Sequence, residues 1–288
     1  MQISSFEKLD PKLVEEAVRR ALDEDVGSGD ATTAALVPPE SRSKAAMIAR
    51  EPLVVCGLAF TQETYRQLDS SIQVDLFCKD GDLMEEGSTL LEVSGPTGAI
   101  LSAERVSLNF LQRLSGIATI TRRFVNEVAG TKVKILDTRK TLPGWRLFEK
   151  YAVICGGAKN HRMGLHDMIL IKDNHLASLH EAGPNAIAKA VACARSSHPN
   201  LKVEVEADTL EQVEQAVEAG ADIILLDNMT NETMIEAVKM VKGRALLEAS
   251  GGINLKTIRD KAETGVDFIS VGSLTHSAPS VDIGLDFK

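Results

Sequence analysis

The chain has 288 residues, 44% of them hydrophobic and 25% charged, with 41 acidic against 32 basic side chains and a formal net charge of -9. This describes a folded globular protein large enough for one big domain or two modest ones, and it excludes a disordered chain. The acidic balance argues against general nucleic-acid binding, since a phosphate backbone demands a positive face, yet a local cationic pocket could still hold a small anion.

In chain order, MQISSFEKLDPKLVEEAVRRAL reads as an amphipathic helix. It has no basic n-region leading into an apolar stretch, so neither secretion nor a membrane anchor is expected. No later run approaches the roughly 18 apolar residues of a membrane span. The loop DEDVGSGDATTAALVPP looks like a calcium loop but puts Ser28 and Ala34 where that loop needs Gly and Glu. Turn and helix-cap chemistry is expected there.

KAAMIAREPLVVCG, an amphipathic FTQETYRQL, and short strands around KDGD and EEGS turns then lead into a long helical stretch. They predict a separate α+β layer. DGDLMEEGSTLLEVSGPTGAIL has the outline of a lipoyl or biotinyl carrier hammerhead but offers only Lys79, at its edge, so a shared shape without attachment is expected.

The second half alternates. The runs VKILD, MILIK, VEVEA, IILLD, ALLEAS and FISVG are interleaved with helical patterns such as TLEQVEQAVEAG and NETMIEAVKMVKG. The apolar runs lack polar alternation, as strands buried on both faces do. Helices closing on Gly220, Gly243 and Gly265 predict left-handed caps. Six βα strands favour a parallel barrel, whose active site lies at the strands' C-terminal ends. Those ends carry Asp137 with Arg139 and Lys140, then Lys172, Glu206, Asp227, Ser250 with Gly251 and Gly252, and Gly272.

Charge concentrates in the same place. Between Asp137 and His175, seven Lys/Arg face four acids, and three of the six histidines fall there. Most single cations decorate solvated faces, and Arg146, Lys150 and Lys159 are read so, as surface or structural charges. Arg105, Arg139 and Arg162 are candidates to grip a carboxylate or phosphate in bidentate fashion, with Lys140 and Lys172 as point charges. GGAKNHR reads as a glycine turn delivering His161 and Arg162. His161, His166 and His175 lack zinc spacing. ASGG before NLKT, and VGS one strand later, offer backbone amides for phosphate, at what reads as a helix start. Glu206 and Asp227 supply hard oxygen ligands suited to magnesium bound through a substrate's phosphates. Phosphate-loop and dinucleotide fingerprints are absent. Four cysteines without C-x-x-C spacing, mostly among apolar neighbours, read as buried free thiols in a reducing cytoplasm.

DTRKT, EKYAV-x-x-GGAKNHRMGLHDMILIKDNH, VEVE, LLDN, EASGGI and the upstream ERVSLNFLQRLSGIAT closely resemble the quinolinate phosphoribosyltransferase family, over nearly the whole chain and in order. The departures are small: LPGW stands where T-P-G-[LF] is commoner, and GGA replaces GGG. The resemblance implies a type II phosphoribosyltransferase of α/β class, with an N-terminal α/β sandwich (1–116), an open, incomplete α/β barrel (117–274), and a C-terminal segment (275–288) packing back on the first domain. It implies the conversion of quinolinate and phosphoribosyl pyrophosphate, with Mg2+, to nicotinate mononucleotide, pyrophosphate and CO2 in NAD biosynthesis. The alternative is a relative acting on another pyridine or pyrimidine-like carboxylate without decarboxylation. Under the resemblance Arg139, His161, Arg162 and Lys172 bind quinolinate, with Arg105 reaching in from a second subunit of a homodimer or hexamer with shared sites. Lys140 lies near both substrates. Glu206 and Asp227 face the ribose and Mg2+, directly or through water, and with Lys140 form the catalytic set. Ser250, Gly251, Gly252 and Gly272 hold phosphate. Neither nucleic acid nor membrane is an expected partner.

Overall fold

The computed structural model describes residues 9–179 and 186–288. Asp10 opens α1 (Pro11–Asp25): its carboxylate accepts the Lys12 N–H at 2.9 Å, Pro11 presets the first turn, and Val14, Val18 and Leu22 form one buried stripe. Asp30 caps α2 (Ala31–Leu36) in the same way through the Thr33 N–H, at 3.0 Å, which is the cap chemistry expected of that loop. There follow β1 (Arg42–Ala49), β2 (Leu53–Val54), α3 (Leu58–Leu68), β3 (Gln73–Leu76), β4 (Leu83–Met84), β5 (Thr89–Pro96) and the long α4 (Thr97–Glu127). The βα alternation then runs β6 (Lys134–Leu136), α5 (Arg146–Cys155), β7 (Ile169–Ile171), α6 (Asp173–Ser178), α7 (Ala186–Ser197), β8 (Val203–Ala207), α8 (Leu210–Glu218), β9 (Ile223–Asp227), α9 (Asn231–Val241), β10 (Leu246–Ser250), α10 (Ile258–Glu263), β11 (Phe268–Ser270) and α11 (Ser273–His276). The last strand is β12 (Ile283–Phe287).

Two compact units divide these elements. One comprises, among the described residues, 9–122, 147–157 and 277–288. Its antiparallel sheet has the order β12-β1-β5-β3, with Met47 opposite Leu91 and Ala45 opposite both Val93 and Phe287. Met47, Leu91, Val93, Tyr65, Ile100, Leu111 and Ile283 fill its core. The expected KDGD and EEGS turns are present, with Gly81 and Gly87 at positive φ. Helix α4 runs unbroken through Gly116, and its residues from Arg123 onward cluster with the other unit.

That other unit holds, among the described residues, 123–146, 158–179 and 186–276. Its parallel sheet has the order β6-β11-β10-β9-β8-β7, and β6 and β7, at its two ends, are not hydrogen-bonded strand to strand. This is the open, incomplete α/β barrel. Strands β8 and β9 are buried almost throughout; β9 reads accordingly as an apolar run, while β8 carries Glu204 and Glu206 among its apolar residues. Gly220, Gly243 and Gly265 take φ of +78°, +74° and +93°, the left-handed conformation anticipated at those helix ends. All four cysteines are free thiols; Cys56 is buried, Cys78 and Cys155 are partly covered, and Cys193 is exposed, because its side of α7 faces away from the sheet. No helix among the described residues is long and apolar enough to cross a membrane.

Candidate active site

A cavity of about 710 Å³ opens among the C-terminal ends of the parallel strands. Its lining includes Arg139, Lys140, His161, Arg162, Lys172, Glu206, Asp227, Ser250, Gly251, Gly252 and Gly272, so eleven of the twelve residues singled out in the sequence meet in one place. The twelfth, Arg105, is an exposed residue of α4 in the other unit and does not line this cavity.

The loop after β6 is organised by Asp137, which is fully buried. Its Oδ1 accepts the His161 backbone N–H at 2.8 Å and its Oδ2 accepts from the Asn160 amide at 2.7 Å, clamping the turn that presents His161 and Arg162. Nδ1 of His161 accepts from the Arg162 N–H at 2.7 Å. That leaves Nε2 as the nitrogen able to carry a proton, and it lies 3.0 Å from Glu204 and 3.6 Å from Glu248. Both carboxyl groups are buried inside strands. Burial, then the neighbouring Glu204, pushes the Glu248 carboxyl up to about 8, opposed by His161 and the Ser270 hydroxyl. The cluster therefore retains a proton on Glu248 at neutral pH.

Arg162 donates from Nη1 to the Met168 carbonyl at 3.1 Å. Its pKa is lowered, first by burial and then by the charge of Arg139. Nε of Arg139 is buried with no hydrogen-bond partner. Both guanidinium groups line the cavity, near enough for one charge to act on the other and with donor capacity left over, an arrangement an anion would satisfy. Lys172 is ion-paired with Glu206, so one cation of the site already has a counter-ion. Arg146 is held by Thr141 and the Met163 carbonyl, a structural position as expected. Lys159 is exposed, whereas Lys150 is wholly buried in the other unit.

Asp227 accepts from the Asn228 amide at 2.8 Å. Asn228 in turn makes glycine obligatory at 251, because a Cβ there would collide with its Oδ1 and Gly251 has φ of +94°. One expectation needs correcting: Ser250-Gly251-Gly252 does not open directly into a helix. Gly252 is also left-handed, at φ +62°, and a turn around Asn254 and Thr257 intervenes before α10 begins at Ile258. Gly272 has no room for a side chain either, since a Cβ would lie 2.9 Å from Lys140 Cδ.

Sequence reasoning passed over Glu204 and Glu248. A usable signal existed, a carboxylate in the middle of a strand otherwise buried on both faces, which requires a partner. Thr138, Asn228, Ser270 and His276 also line the cavity.

The quinolinate phosphoribosyl transferase N-terminal domain matches residues 30–115, and the C-terminal domain of the same family matches 117–286. The chain is 43% identical over 264 residues to a probable nicotinate-nucleotide pyrophosphorylase [carboxylating] of Bacillus subtilis, covering 91% of this chain and 89% of the relative. It is 42% identical over 280 residues to the nicotinate-nucleotide pyrophosphorylase [carboxylating] of Mycobacterium leprae, covering 94% and 96%. The solved nicotinate-nucleotide pyrophosphorylase of Francisella tularensis superposes with a TM-score of 0.94 at 41% identity over the full length of both chains. The cation-rich cavity on an open barrel and these likenesses agree, and the chain belongs to the quinolinate phosphoribosyltransferase family.

Proposed function

We propose that the chain is a decarboxylating pentosyltransferase that joins quinolinate to the ribose of phosphoribosyl pyrophosphate, yielding nicotinate mononucleotide, pyrophosphate and CO2 for NAD synthesis. The observation that carries this reading is the Arg139–Arg162 pair, two guanidinium groups held together with an unpartnered buried donor. A dicarboxylate supplies the missing acceptors. Arg139, Arg162 and Lys172 then hold the quinolinate carboxylates. His161 shapes that end of the pocket, since both its ring nitrogens already have partners within the protein. Lys140 lies beside Gly272, where a cation can serve both substrates. Ser250, Gly251, Gly252 and Gly272 leave backbone room for phosphate oxygens.

Attack by the pyridine nitrogen on ribose C1 builds positive charge on the sugar as pyrophosphate departs with its bonding electrons. Glu206 and Asp227, at neighbouring strand ends, face the sugar and stabilise that charge, and Lys140 stabilises the departing one. The alkylated ring is a cation that accepts the electrons released when the adjacent carboxylate leaves as CO2, and a proton takes its place. The chain needs no covalent nucleophile. Glu206 and Asp227 are a donor set of hard oxygens that fits Mg2+, which when bound neutralises pyrophosphate charge.

A homodimer or hexamer with shared sites is part of the same proposal, with Arg105 supplied by a neighbouring copy. Mixing inactive Arg105→Ala and Arg139→Ala chains should restore measurable activity through hybrid sites, and no recovery despite proven subunit exchange would rule the sharing out. A cytoplasmic setting suits the four free thiols.

The direct test is pyrophosphate release from phosphoribosyl pyrophosphate with quinolinate labelled in its 2-carboxylate. Quinolinate-dependent release with matching labelled CO2 is expected. Equal turnover of nicotinate, or release without CO2, would overturn the proposal.

A further inference from the structure

Outside the cavity, one cluster, buried at Cys56 and partly covered at Asp80 and Cys155, has no part in this chemistry. Cys56 follows β2, Asp80 lies in the turn after β3, and Cys155 is the last residue of α5. In the folded unit the two sulfurs and a carboxylate oxygen of Asp80 all lie within 4.8 Å of one another. We propose that Cys56, Asp80 and Cys155 form a binding site for one thiophilic divalent cation, zinc being the natural fit, in a unit of the protein separate from the catalytic cavity.

Geometry supports this first. Zinc–sulfur bonds of about 2.3 Å and zinc–oxygen bonds of about 2.0 to 2.2 Å bring tetrahedral ligands to roughly 3.5 to 3.8 Å from each other, a small contraction of the present cluster. The backbone of each cysteine is already held. The Ser115 hydroxyl accepts from the Cys56 N–H at 2.9 Å and donates to its carbonyl at 3.1 Å. Arg122 donates to the carbonyls of Cys155, at 3.3 Å, and Gly156, at 2.9 Å. Gly156 is packed so closely that a Cβ would meet Thr121 at 2.5 Å and the Ala118 carbonyl at 2.6 Å. Such outer supports are what orient metal ligands.

Charge supports it independently. Asp80 is largely buried, yet its partners are neutral: Oδ1 accepts from the Gly57 and Leu58 N–H groups at 3.0 and 3.2 Å, and Oδ2 from the Tyr151 hydroxyl at 3.0 Å. Among the described residues no lysine or arginine forms an ion pair with it. Two cysteine sulfurs, once deprotonated, are the soft donors such a cation prefers. The binding step balances: one divalent ion enters, two thiol protons leave, and the net charge of the cluster is unchanged. Water or the Tyr151 hydroxyl takes the fourth position.

The test is titration of the fully reduced chain with Co2+, a spectroscopic stand-in for zinc. Expected are a thiolate-to-cobalt charge-transfer band and tetrahedral d–d bands that saturate at one ion per chain and vanish when zinc is added. Cys155→Ser should abolish the charge-transfer band or weaken binding at least a hundredfold. Asp80→Asn, which keeps an acceptor for the two N–H groups, should weaken it at least tenfold. Cys193→Ser, at the exposed thiol of α7, should leave it intact. A reduced wild-type chain without the band would overturn the site. So would a band that survives both Cys155→Ser and Asp80→Asn, or one lost in Cys193→Ser. A Cys56–Cys155 disulfide that forms in air while the reduced chain binds no cobalt would replace the proposal with a redox pair.

Discussion

In the unit built on the antiparallel sheet, the buried polar groups are mostly hydroxyls of Thr61, Thr64, Ser107, Ser115 and Thr121, together with Glu149, which meets Arg113 at 2.7 Å, and Lys150. The parallel-sheet unit buries Asp137, His161, Arg162, Glu204 and Glu248 around a cavity. In the first unit Glu149 is neutralised on the spot by its arginine. In the second, Arg139 lies close enough to Arg162 for its charge to lower the pKa of that guanidinium, so that part of the compensation must come from elsewhere. Burying a charge is costly unless it is paired. Two incompletely partnered guanidinium groups beside an open cavity mark where an anionic ligand goes.

The comparison can be broken most severely at Arg113. Arg113→Ala leaves Glu149 buried without its guanidinium and should lower unfolding stability by about 3 to 5 kcal/mol in a denaturant titration. The quinolinate affinity of the protein that remains folded should be unchanged. Arg162→Ala reverses the pattern: quinolinate binding weakens by about 2 to 4 kcal/mol, read by calorimetry, while the loss of repulsion against Arg139 keeps the melting temperature near that of the wild type. An unchanged quinolinate dissociation constant would remove Arg162 from the site. The smallest effect is a pH signature. Glu248 holds its proton more tightly in the folded than in the unfolded chain, so between the ordinary carboxylate range and about pH 8 the folded state binds more protons. The contribution is complete at low pH and is lost as pH rises towards 8. Glu248→Gln should flatten this part of the decline in melting temperature between pH 5 and 8, and identical slopes in both proteins would count against the buried proton.

Much of this was legible in the chain because parallel strands buried on both faces advertise themselves as apolar runs, and glycines at 220, 243 and 265 mark the helix ends. The strand-end charges were legible for the same reason, since a parallel sheet brings successive strand ends to one side. What could not be read was pairing across strands. Lys172 with Glu206, and Glu204 with Glu248 around His161, depend on the order β10-β9-β8-β7 and on register. The helix start placed after Gly252 failed on a local point: Asn254 with Thr257 builds a turn before the helix begins.

Strand β12 has a consequence for how the protein is made. It pairs with residues 45–49 of β1, and Arg50 is ion-paired with Asp286, 236 residues later. During synthesis the antiparallel sheet therefore waits, with this part of the β1 edge open, until residues 283–287 have left the ribosome, after every parallel strand has emerged. Such late, long-range closure is slow, and it leaves an unpaired edge exposed to other nascent chains. The charged side chains of Lys44 and Arg50, at either end of the segment that β12 covers, are placed where they can discourage the wrong strand until the right one arrives.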